Sequence, residues 1–261
     1  GIRDHCVTGV QTCALPICTG SGDHDASEAK AWVGCATEDD CWGFAWSLAV
    51  ADNNGDGIDD VWTAAYAAND YAGRVYVFEG PFEGGRTEAD ADVLRTGDPG
   101  SMYGEAMTVA DVDGDGDVDL AVLAGSDDSY QENAAAVYVE SGPLLGANQA
   151  PTAASVAIRG DAEHRLGWLG GGDVDGDGRT DLTLSVLESD YRGDLYIWRG
   201  LSAGEFDFRD GSVVVSGVHA FDDVYPLSVR DIDGNGMADV VLRFKSGEQT
   251  AWGLFYNLTI Q

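Results

Sequence analysis

Positive charge is scarce in this sequence. Its 261 residues hold 14 Lys and Arg against 46 Asp and Glu, which gives a formal net charge of −32 at pH 7. A surface with this much negative charge repels phosphate backbones and anionic lipid headgroups. We therefore expect neither nucleic-acid binding nor attachment to an anionic membrane. No apolar run is long enough to cross a bilayer, and we therefore expect no membrane insertion.

Recognisable catalytic constellations are also missing. His24, His164 and His219 stand far apart, and beyond residue 18 the sequence has no nucleophile elbow, phosphate-binding loop or CxxC motif. We therefore predict that this chain is not an enzyme. The alternative that a catalytic domain lies on an upstream part of the protein is left open by the sequence.

What the sequence does contain is a nine-residue acidic pattern that occurs four times. It reads DNNGDGIDD from Asp52, DVDGDGDVD from Asp111, DVDGDGRTD from Asp173 and DIDGNGMAD from Asp231, with starts 59, 62 and 58 residues apart. A fixed period of this length is typical of a repeat architecture in which each unit is one supersecondary module.

The spacing of oxygen-bearing side chains within each copy predicts a Ca²⁺ site, because Ca²⁺ takes about six to eight oxygen ligands. Positions 1, 3, 5 and 9 always carry Asp or Asn, position 6 is always a glycine that permits a sharp turn, and the variable position 7 is expected to offer its backbone carbonyl. The predicted ligands of up to four Ca²⁺ ions are Asp52, Asn54, Asp56, Ile58 and Asp60; Asp111, Asp113, Asp115, Asp117 and Asp119; Asp173, Asp175, Asp177, Arg179 and Asp181; and Asp231, Asp233, Asn235, Met237 and Asp239.

An EF-hand is the first alternative, and the sequence excludes it. An EF-hand loop needs Glu at position 12 and a helix on each side. Position 12 of the four copies is Thr63, Val122, Leu184 and Leu242. A solvated acidic turn without an ion is the second alternative for any single copy, but four aligned copies argue against it.

Short apolar strands fill the rest of each period. VWTAAY, LAVLAG, LTLSV and VVLRF follow the four loops, and GRVYVFEG, AAVYVESG, GDLYIWRG and AWGLFYNL come next. A third strand ends near a glycine in the first three periods, and a further strand leads into the following acidic loop. Four strands in about 60 residues predict an all-β fold of four-stranded blades, which is a β-propeller.

At this point the sequence resembles a known family. FAWSLAVADNNGDGIDDV from Phe44 and YGEAMTVADVDGDGDVDL from Tyr103 are similar to the FG-GAP repeat of integrin alpha-subunit propellers and their bacterial relatives. Copies 3 and 4 depart from it, with one residue fewer before the third loop and Pro226 near the glycine position. The resemblance implies Ca²⁺ between the first two strands of each blade, on the face opposite the usual partner-binding face.

The first residues of the sequence look foreign to the protein. VTGVQTCALPI at residues 7–17 resembles a translated sequencing adapter, so we interpret residues 1–18 as an assembly artefact and 19–29 as a flexible lead-in. Cys35 and Cys41 remain close together, and we expect a local disulfide, with two thiols as the alternative. A disulfide would indicate an oxidising compartment.

Residues 30–261 are predicted to form the propeller repeats, with approximate bounds 43–97, 103–160, 166–217 and 224–261. The segment AKAWVG at residues 29–34 has no partner in this scheme. It either completes the last blade and closes a four-bladed ring, or it is the outer strand of an earlier blade. Because the resembling family usually has seven blades, we favour a fragment of a larger propeller.

The resemblance and the acidic repeats together predict a calcium-binding propeller segment of a secreted or surface protein that mediates adhesion or binds a protein or glycan. Candidate contact residues are Tyr71, Tyr130 and Tyr191, each just after acidic residues in loops expected to lie opposite the metal loops. Packing of these rings between blades is the alternative for the tyrosines. Alternatives for the whole chain are an accessory domain of a secreted polysaccharide lyase or phospholipase, and a purely structural surface element.

Overall fold

The computed structural model describes residues 29–36, 42–127, 134–149, 153–187, 192–216, 224–246 and 249–255. The first half of the chain supplies β1 (Ala31–Gly34), β2 (Phe44–Ala51), β3 (Asp60–Ala65), β4 (Arg74–Phe78), β5 (Gly84–Thr87), β6 (Val93–Thr96), β7 (Tyr103–Ala110), β8 (Asp119–Ala124) and β9 (Ala136–Glu140). The second half supplies β10 (Ala147–Gln149), β11 (Val156–Arg159), β12 (Arg165–Gly172), β13 (Asp181–Leu187), β14 (Gly193–Trp198), β15 (Gly204–Asp207), β16 (Ser212–Ser216), β17 (Val224–Arg230), β18 (Asp239–Ser246) and β19 (Gln249–Phe255). Residues 1–18, which we interpret as an artefact, and all of the predicted lead-in except residue 29 lie outside these ranges.

The strands form antiparallel blades, one for each acidic loop. From the inner to the outer strand, blade 1 is β2-β3-β4-β6, blade 2 is β7-β8-β9-β11 and blade 3 is β12-β13-β14-β16. Blade 4 contains β17-β18-β19 among the described residues. In every blade the acidic loop joins the first strand to the second. The all-β fold of bladed sheets predicted from the repeat is therefore confirmed.

Three very short strands link the blades and were not predicted. Each of β5, β10 and β15 leaves its own blade and pairs in parallel with an outer strand on the upstream side: β5 with β1, β10 with β6, and β15 with β11. Relative to blade 1, β1 thus holds the place that β6 holds relative to blade 2. Both predicted roles for AKAWVG place it beside β5, since the last blade of a closed ring and an earlier blade would each put their outer strand there, so this pairing does not distinguish between the two.

The hydrophobic core lies between the blades. Trp62 of blade 1 packs with Met107 and Val122 of blade 2, and similar clusters join blade 2 to blade 3 and blade 3 to blade 4. Because the middle strands are covered on both faces, all six residues of β3 and all six of β8 are buried. This explains why these strands read as continuous apolar runs without alternation.

The inner strands pack side by side in the series β2, β7, β12 and β17. Each has a register irregularity near its start, and the departures in copies 3 and 4 fall at this irregular point. Pro226 is tolerated there because the ladder is already interrupted. Cys35 is disulfide-bonded, while Cys41 lies outside the described residues. Among the described residues, no helix has the length and hydropathy needed to cross a membrane.

Candidate metal centres

Each acidic loop is folded by its own side chains. One oxygen of the carboxylate at position 1 accepts a hydrogen bond from the backbone amide of the glycine at position 4, at 2.6–2.8 Å. Its other oxygen accepts the amide of the glycine at position 6, at 2.8–3.1 Å. The first residue of each loop is therefore wrapped by the backbone that follows it.

Positions 3 and 5 continue this arrangement. The side-chain oxygen of position 3 accepts the amide of position 5 at 3.0–3.2 Å. The side-chain oxygen of position 5 accepts the amide of position 7 at 2.7–2.9 Å. Such local turns are what short Asp and Asn side chains favour. They hold the polar side chains of positions 1, 3 and 5 within one small loop.

Two glycines per loop make this curvature possible. Position 4 has φ between 73° and 81° and position 6 has φ between 84° and 97° in all four copies. A residue with a Cβ is strained in this left-handed region, so glycine is strongly favoured at both positions. The sequence argument identified only position 6, although the repeated DG or NG pairs at positions 3–4 and 5–6 carried the signal for both.

The Asp at position 9 has a different environment from the others. Asp60, Asp119, Asp181 and Asp239 are at most 1% exposed, and each accepts the amide of position 2 at 2.7–2.9 Å. In loops 1 and 2 the second oxygen also accepts a glycine amide after the third strand, at 2.8 and 2.9 Å. Position 9 therefore anchors the loop to its own blade, a structural role that the sequence did not reveal.

Acidic oxygens converge in three of the loops. Ligand atoms lie within 4.8 Å of one another in the sets Asp111, Asp113 and Asp115; Asp173, Asp175 and Asp181; and Asp231, Asp233 and Asp239. In loop 1, position 3 is Asn54 and supplies an amide oxygen instead of a carboxylate. Donor sets made only of oxygen, arranged in this way, fit a hard cation such as Ca²⁺.

The electrostatics of the loops reflect this crowding. Burial, together with the nearby carboxylates of Asp175, Asp177 and Asp173, raises the pKa of Asp181 to about 6. Burial likewise raises the pKa of Asp119. At position 1 the direction is opposite, since the hydrogen bond from the amide of Gly57 lowers the pKa of Asp52.

The loops of adjacent blades also contact one another. The amide of Thr180 in loop 3 donates to the carbonyl of Asp111 in loop 2 at 3.1 Å, and the amide of Ala238 in loop 4 donates to the carbonyl of Asp173 in loop 3 at 2.5 Å. The position-7 side chain Arg179 lies against Gly114 of the preceding loop. These contacts place loops 2, 3 and 4 side by side, at the same end of their blades.

The opposite end of the blades carries exposed aromatic side chains. Tyr71 is 40% exposed and lies between β3 and β4, at the end of β3 away from the metal loop. Trp46 is 52% exposed near the start of β2, with its ring 5.1 Å from that of Tyr66, and Trp168 is 43% exposed near the start of β12. The other two predicted contact residues, Tyr130 and Tyr191, lie outside the described residues.

Comparison with known proteins supports the repeat assignment. Residues 44–78 match the FG-GAP repeat family model, and residues 173–242 match the FG-GAP-like repeat family model. Phosphatidylinositol-glycan-specific phospholipase D of Mus musculus is 34% identical over 153 residues, which are 54% of this chain and 18% of that protein. Integrin alpha-7 of Rattus norvegicus is 34% identical over 155 residues (56% and 13%), and integrin alpha-4 of Xenopus laevis is 32% identical over 153 residues (55% and 14%).

Stacked antiparallel blades, each with an acidic glycine-rich loop between its first two strands, define a repeat protein of the β-propeller class. Within that class, the chain carries FG-GAP repeats, and over about half of its length it is similar to integrin alpha subunits. It spans less than a fifth of the length of the relatives named here.

Proposed function

We propose that this chain is a non-catalytic, calcium-binding propeller segment of a secreted or surface protein, and that its function is to bind a protein or glycan partner. The observation that carries the calcium part is the convergence of carboxylate oxygens within 4.8 Å in three loops of the same design. Without a cation, charges this close repel one another.

Calcium suits these loops better than a smaller ion. Ca²⁺ accepts flexible geometry and many oxygens, whereas Mg²⁺ demands a near-ideal octahedron and keeps several waters. One oxygen of Asp239 is buried and has no hydrogen-bond partner within the described part of the chain, so it is available to a cation. In each loop, positions 1, 3, 5 and 9 would supply side-chain oxygens and position 7 its carbonyl.

A pair of substitutions within loop 2 tests the ligand assignment. Asp115→Asn removes a charge at position 5 but keeps an oxygen for the amide of residue 117, as Asn235 does for Met237 in loop 4. Asp117→Asn removes the same charge at position 7, where only the backbone is assigned to the ion. We expect Asp115→Asn to reduce the gain in unfolding free energy on adding calcium by about 1 kcal/mol, and Asp117→Asn to leave that gain unchanged. Equal effects of the two variants would show only a general response to charge.

The partner-binding part of the proposal rests on the aromatic surface opposite the metal loops. Tyr and Trp offer large, rigid contact area to proteins and sugar rings, and Trp46, Tyr66 and Tyr71 belong to the same blade. We expect Tyr71→Ala or Trp46→Ala to abolish binding on a glycan array or in a pull-down from extracellular extract. Leu145→Ala is the control, because Leu145 is 68% exposed in blade 2 beside β10, away from this surface. Binding that survives both aromatic substitutions would place the partner elsewhere.

A second candidate function is favoured by one of the relatives. The similarity to a phosphatidylinositol-glycan-specific phospholipase D fits an accessory propeller attached to the catalytic domain of a secreted enzyme. Long-read sequencing of the locus across codon 18 separates the two candidates. A catalytic domain encoded there would make this chain an enzyme's accessory module, whereas further FG-GAP repeats behind a signal peptide would support the first proposal.

A further inference from the structure

Both Asn–Gly pairs of the sequence lie at predicted ligand positions of the acidic loops. Asn54 precedes Gly55 at positions 3 and 4 of loop 1, and Asn235 precedes Gly236 at positions 5 and 6 of loop 4. All other side chains at positions 1, 3, 5 and 9 of the four loops are Asp. An amide thus replaces a carboxylate only where a glycine follows, and glycine leaves its backbone nitrogen open to close approach.

The fold of the loop brings the side chain of each Asn close to the backbone that follows it. The side-chain oxygen of Asn54 accepts a hydrogen bond from the amide of Asp56 at 3.0 Å, and that of Asn235 accepts one from the amide of Met237 at 2.7 Å. The ring that each bond closes contains the side-chain carbonyl carbon of the Asn and the backbone nitrogen of the next glycine. Because these two atoms are confined to one small turn, an attack of the nitrogen on the carbon is favoured.

Each turn also supplies a proton acceptor for the attacking nitrogen and a donor for the carbonyl oxygen. The amide of Gly55 donates to Oδ1 of Asp52 at 2.8 Å, and the amide of Gly236 donates to Oδ2 of Asp231 at 2.9 Å. A carboxylate at this distance can take the amide proton as the nitrogen attacks. The amides bonded to the two Asn side-chain oxygens lie at the distance of about 2.7–3.1 Å at which donors stabilise a developing oxyanion.

Water reaches both pairs. Asn54, Gly55, Asn235 and Gly236 are exposed, and positions 3 and 5 of loops 2 and 3 are exposed as well, so the exposure belongs to the design of the loop. A Cβ on either glycine would lie in open space, with no heavy atom beyond its chain neighbours within 4 Å. Asn53 provides the contrast, because it is only 2% exposed and its side chain makes two hydrogen bonds to the backbone of blade 2.

We propose that Asn54 and Asn235 are sites of self-catalysed deamidation, which converts both side chains into carboxylates. The glycine nitrogen forms a bond to the side-chain carbonyl carbon of the Asn, and its proton passes to the carboxylate at position 1. The bond from that carbon to the side-chain nitrogen then breaks, and ammonia leaves with the proton that the carboxylate returns. Water adds to the same carbon of the cyclic imide and breaks the new bond to the glycine nitrogen, which leaves an Asp in an unchanged backbone. Each conversion consumes one water and releases one ammonia.

The conversion would complete the acidic pattern, because all four loops would then carry carboxylates at positions 1, 3, 5 and 9. Its consequence for metal binding rests on the proposed calcium function. The number of charged ligands tunes the calcium affinity of an oxygen site, so loops 1 and 4 should bind calcium more tightly after conversion. A bound ion would occupy oxygens of Asp52 and Asn54 that the reaction uses, so calcium should slow the conversion in loop 1.

Peptide mass mapping of the full chain, incubated in chelator, measures the conversion. We expect Asn54 and Asn235 to become Asp about tenfold faster in the folded chain than in the chain unfolded in guanidinium, while Asn53 keeps its amide in the folded chain. Asp52→Asn keeps an oxygen for the amide of Gly55 but cannot take its proton. This variant should therefore slow the conversion of Asn54 and leave that of Asn235 unchanged. A folded chain that reacts no faster than the unfolded one would overturn the proposal, as would an undiminished rate at Asn54 in Asp52→Asn.

Loop 2 allows the same arrangement to be built where the sequence lacks it. Asp115→Asn places an Asn before Gly116, whose amide donates to Oδ2 of Asp111 at 3.1 Å, and the side chain of residue 115 accepts the amide of Asp117 at 2.9 Å. This variant should revert to Asp on incubation, so its calcium response is measured on freshly purified protein. Asp117→Asn, which precedes Val118, should keep its amide. A stable amide at position 115 would contradict the role assigned to the loop geometry.

The calcium response separates this inference from the proposed function. A double variant with Asn54→Asp and Asn235→Asp carries the products directly, and the incubated wild type should reach the same gain in unfolding free energy on adding calcium. A double variant without any calcium response would refute the calcium function, whereas the deamidation is decided by the mass mapping alone. A double variant that responds while the incubated wild type does not would show that water opened the imide at the backbone carbonyl. The loops would then carry isoaspartate, and the conversion into metal ligands would be overturned.

Discussion

Replacing Glu140 with Gln removes the negative charge that neutralises Arg95 and changes little of the side chain's shape. Arg95 on β6 of blade 1 donates from Nε to Oε2 of Glu140 at 2.7 Å and from Nη2 to Oε1 at 2.5 Å. Its Nη1 donates to the carbonyl of Gly146 at 2.9 Å. The side chains of Arg95 and Glu140 are only 2% and 12% exposed, so this ion pair joins blades 1 and 2 away from water.

The burial of the pair sets the magnitude. Removing one partner of a buried ion pair leaves a charge without compensation and costs about 3–5 kcal/mol, a large part of the roughly 5–15 kcal/mol that stabilises a typical domain. Glu140→Gln should therefore lower the unfolding free energy by about 3–5 kcal/mol. Arg95→Met combined with Glu140→Met should recover most of this loss, because well-packed apolar side chains often replace a buried pair at little cost.

Urea unfolding in calcium-saturated buffer measures these differences. Arg165→Met is the control, because Arg165 bonds Glu105 at 2.8 Å across blades 2 and 3 but its side chain is 64% exposed. An exposed pair contributes about 0–1 kcal/mol, so this variant should be nearly neutral. The reasoning is refuted if Glu140→Gln lowers the unfolding free energy by less than about 1 kcal/mol, or if the double Met variant is less stable than Glu140→Gln.

Further predictions concern backbone strain, a blade contact and a carboxyl group. Gly104→Ala should lower the unfolding free energy by at least about 1 kcal/mol more than Gly100→Ala, as measured by thermal unfolding. Both glycines have positive φ, but only at position 104 would an added Cβ lie too close to a neighbouring strand, 2.8 Å from the Cβ of Ala64. Asn53→Ala should cost about 1–3 kcal/mol in urea unfolding, since its buried amide exchanges two hydrogen bonds of 3.0 Å with the backbone of blade 2; a neutral substitution would contradict that role. Burial pushes the pKa of Asp161 up, but hydrogen bonds led by that from Arg209 hold it at about 2. The negative charge of Asp161 should therefore stabilise the fold fully above pH 3.8, the ordinary pKa of an aspartate, and this stabilisation should be lost as the pH falls through about 2. NMR titration of the Asp161 carboxyl measures its pKa, and Arg209→Gln should move that pKa upward. An unchanged pKa in Arg209→Gln would contradict the assigned cause.

The strands of the blades and the turns of the acidic loops could be predicted from the sequence because the patterns that indicate them are local. Continuous apolar runs predicted the middle strands, and the DxDGDG spacing predicted the turns of positions 1 to 6. The linking strands β5, β10 and β15 escaped prediction because segments such as GGRT at 84–87 lack any apolar alternation. They become strands only where an outer strand of the adjacent sheet offers an edge.

The features of the candidate site and of the blade joints that could not be predicted depend on distant residues. The burial of Asp119 and its bond to Gly142 exist only once blade 2 has folded. The pairing of Arg95 with Glu140 spans 45 residues, and neither neighbourhood in the sequence hints at the other. The ligand assignment itself remains a prediction, supported by the convergence of the oxygens.

Unfolding free energy measured against free calcium concentration tests the calcium sites most directly. Four extracellular-type sites with dissociation constants of about 10⁻⁴–10⁻³ M should add about 1.4 kcal/mol each per tenfold rise in calcium above that range, or about 5–6 kcal/mol together. Magnesium at equal concentration should give much less. Identical unfolding curves in excess chelator and in millimolar calcium would contradict the account.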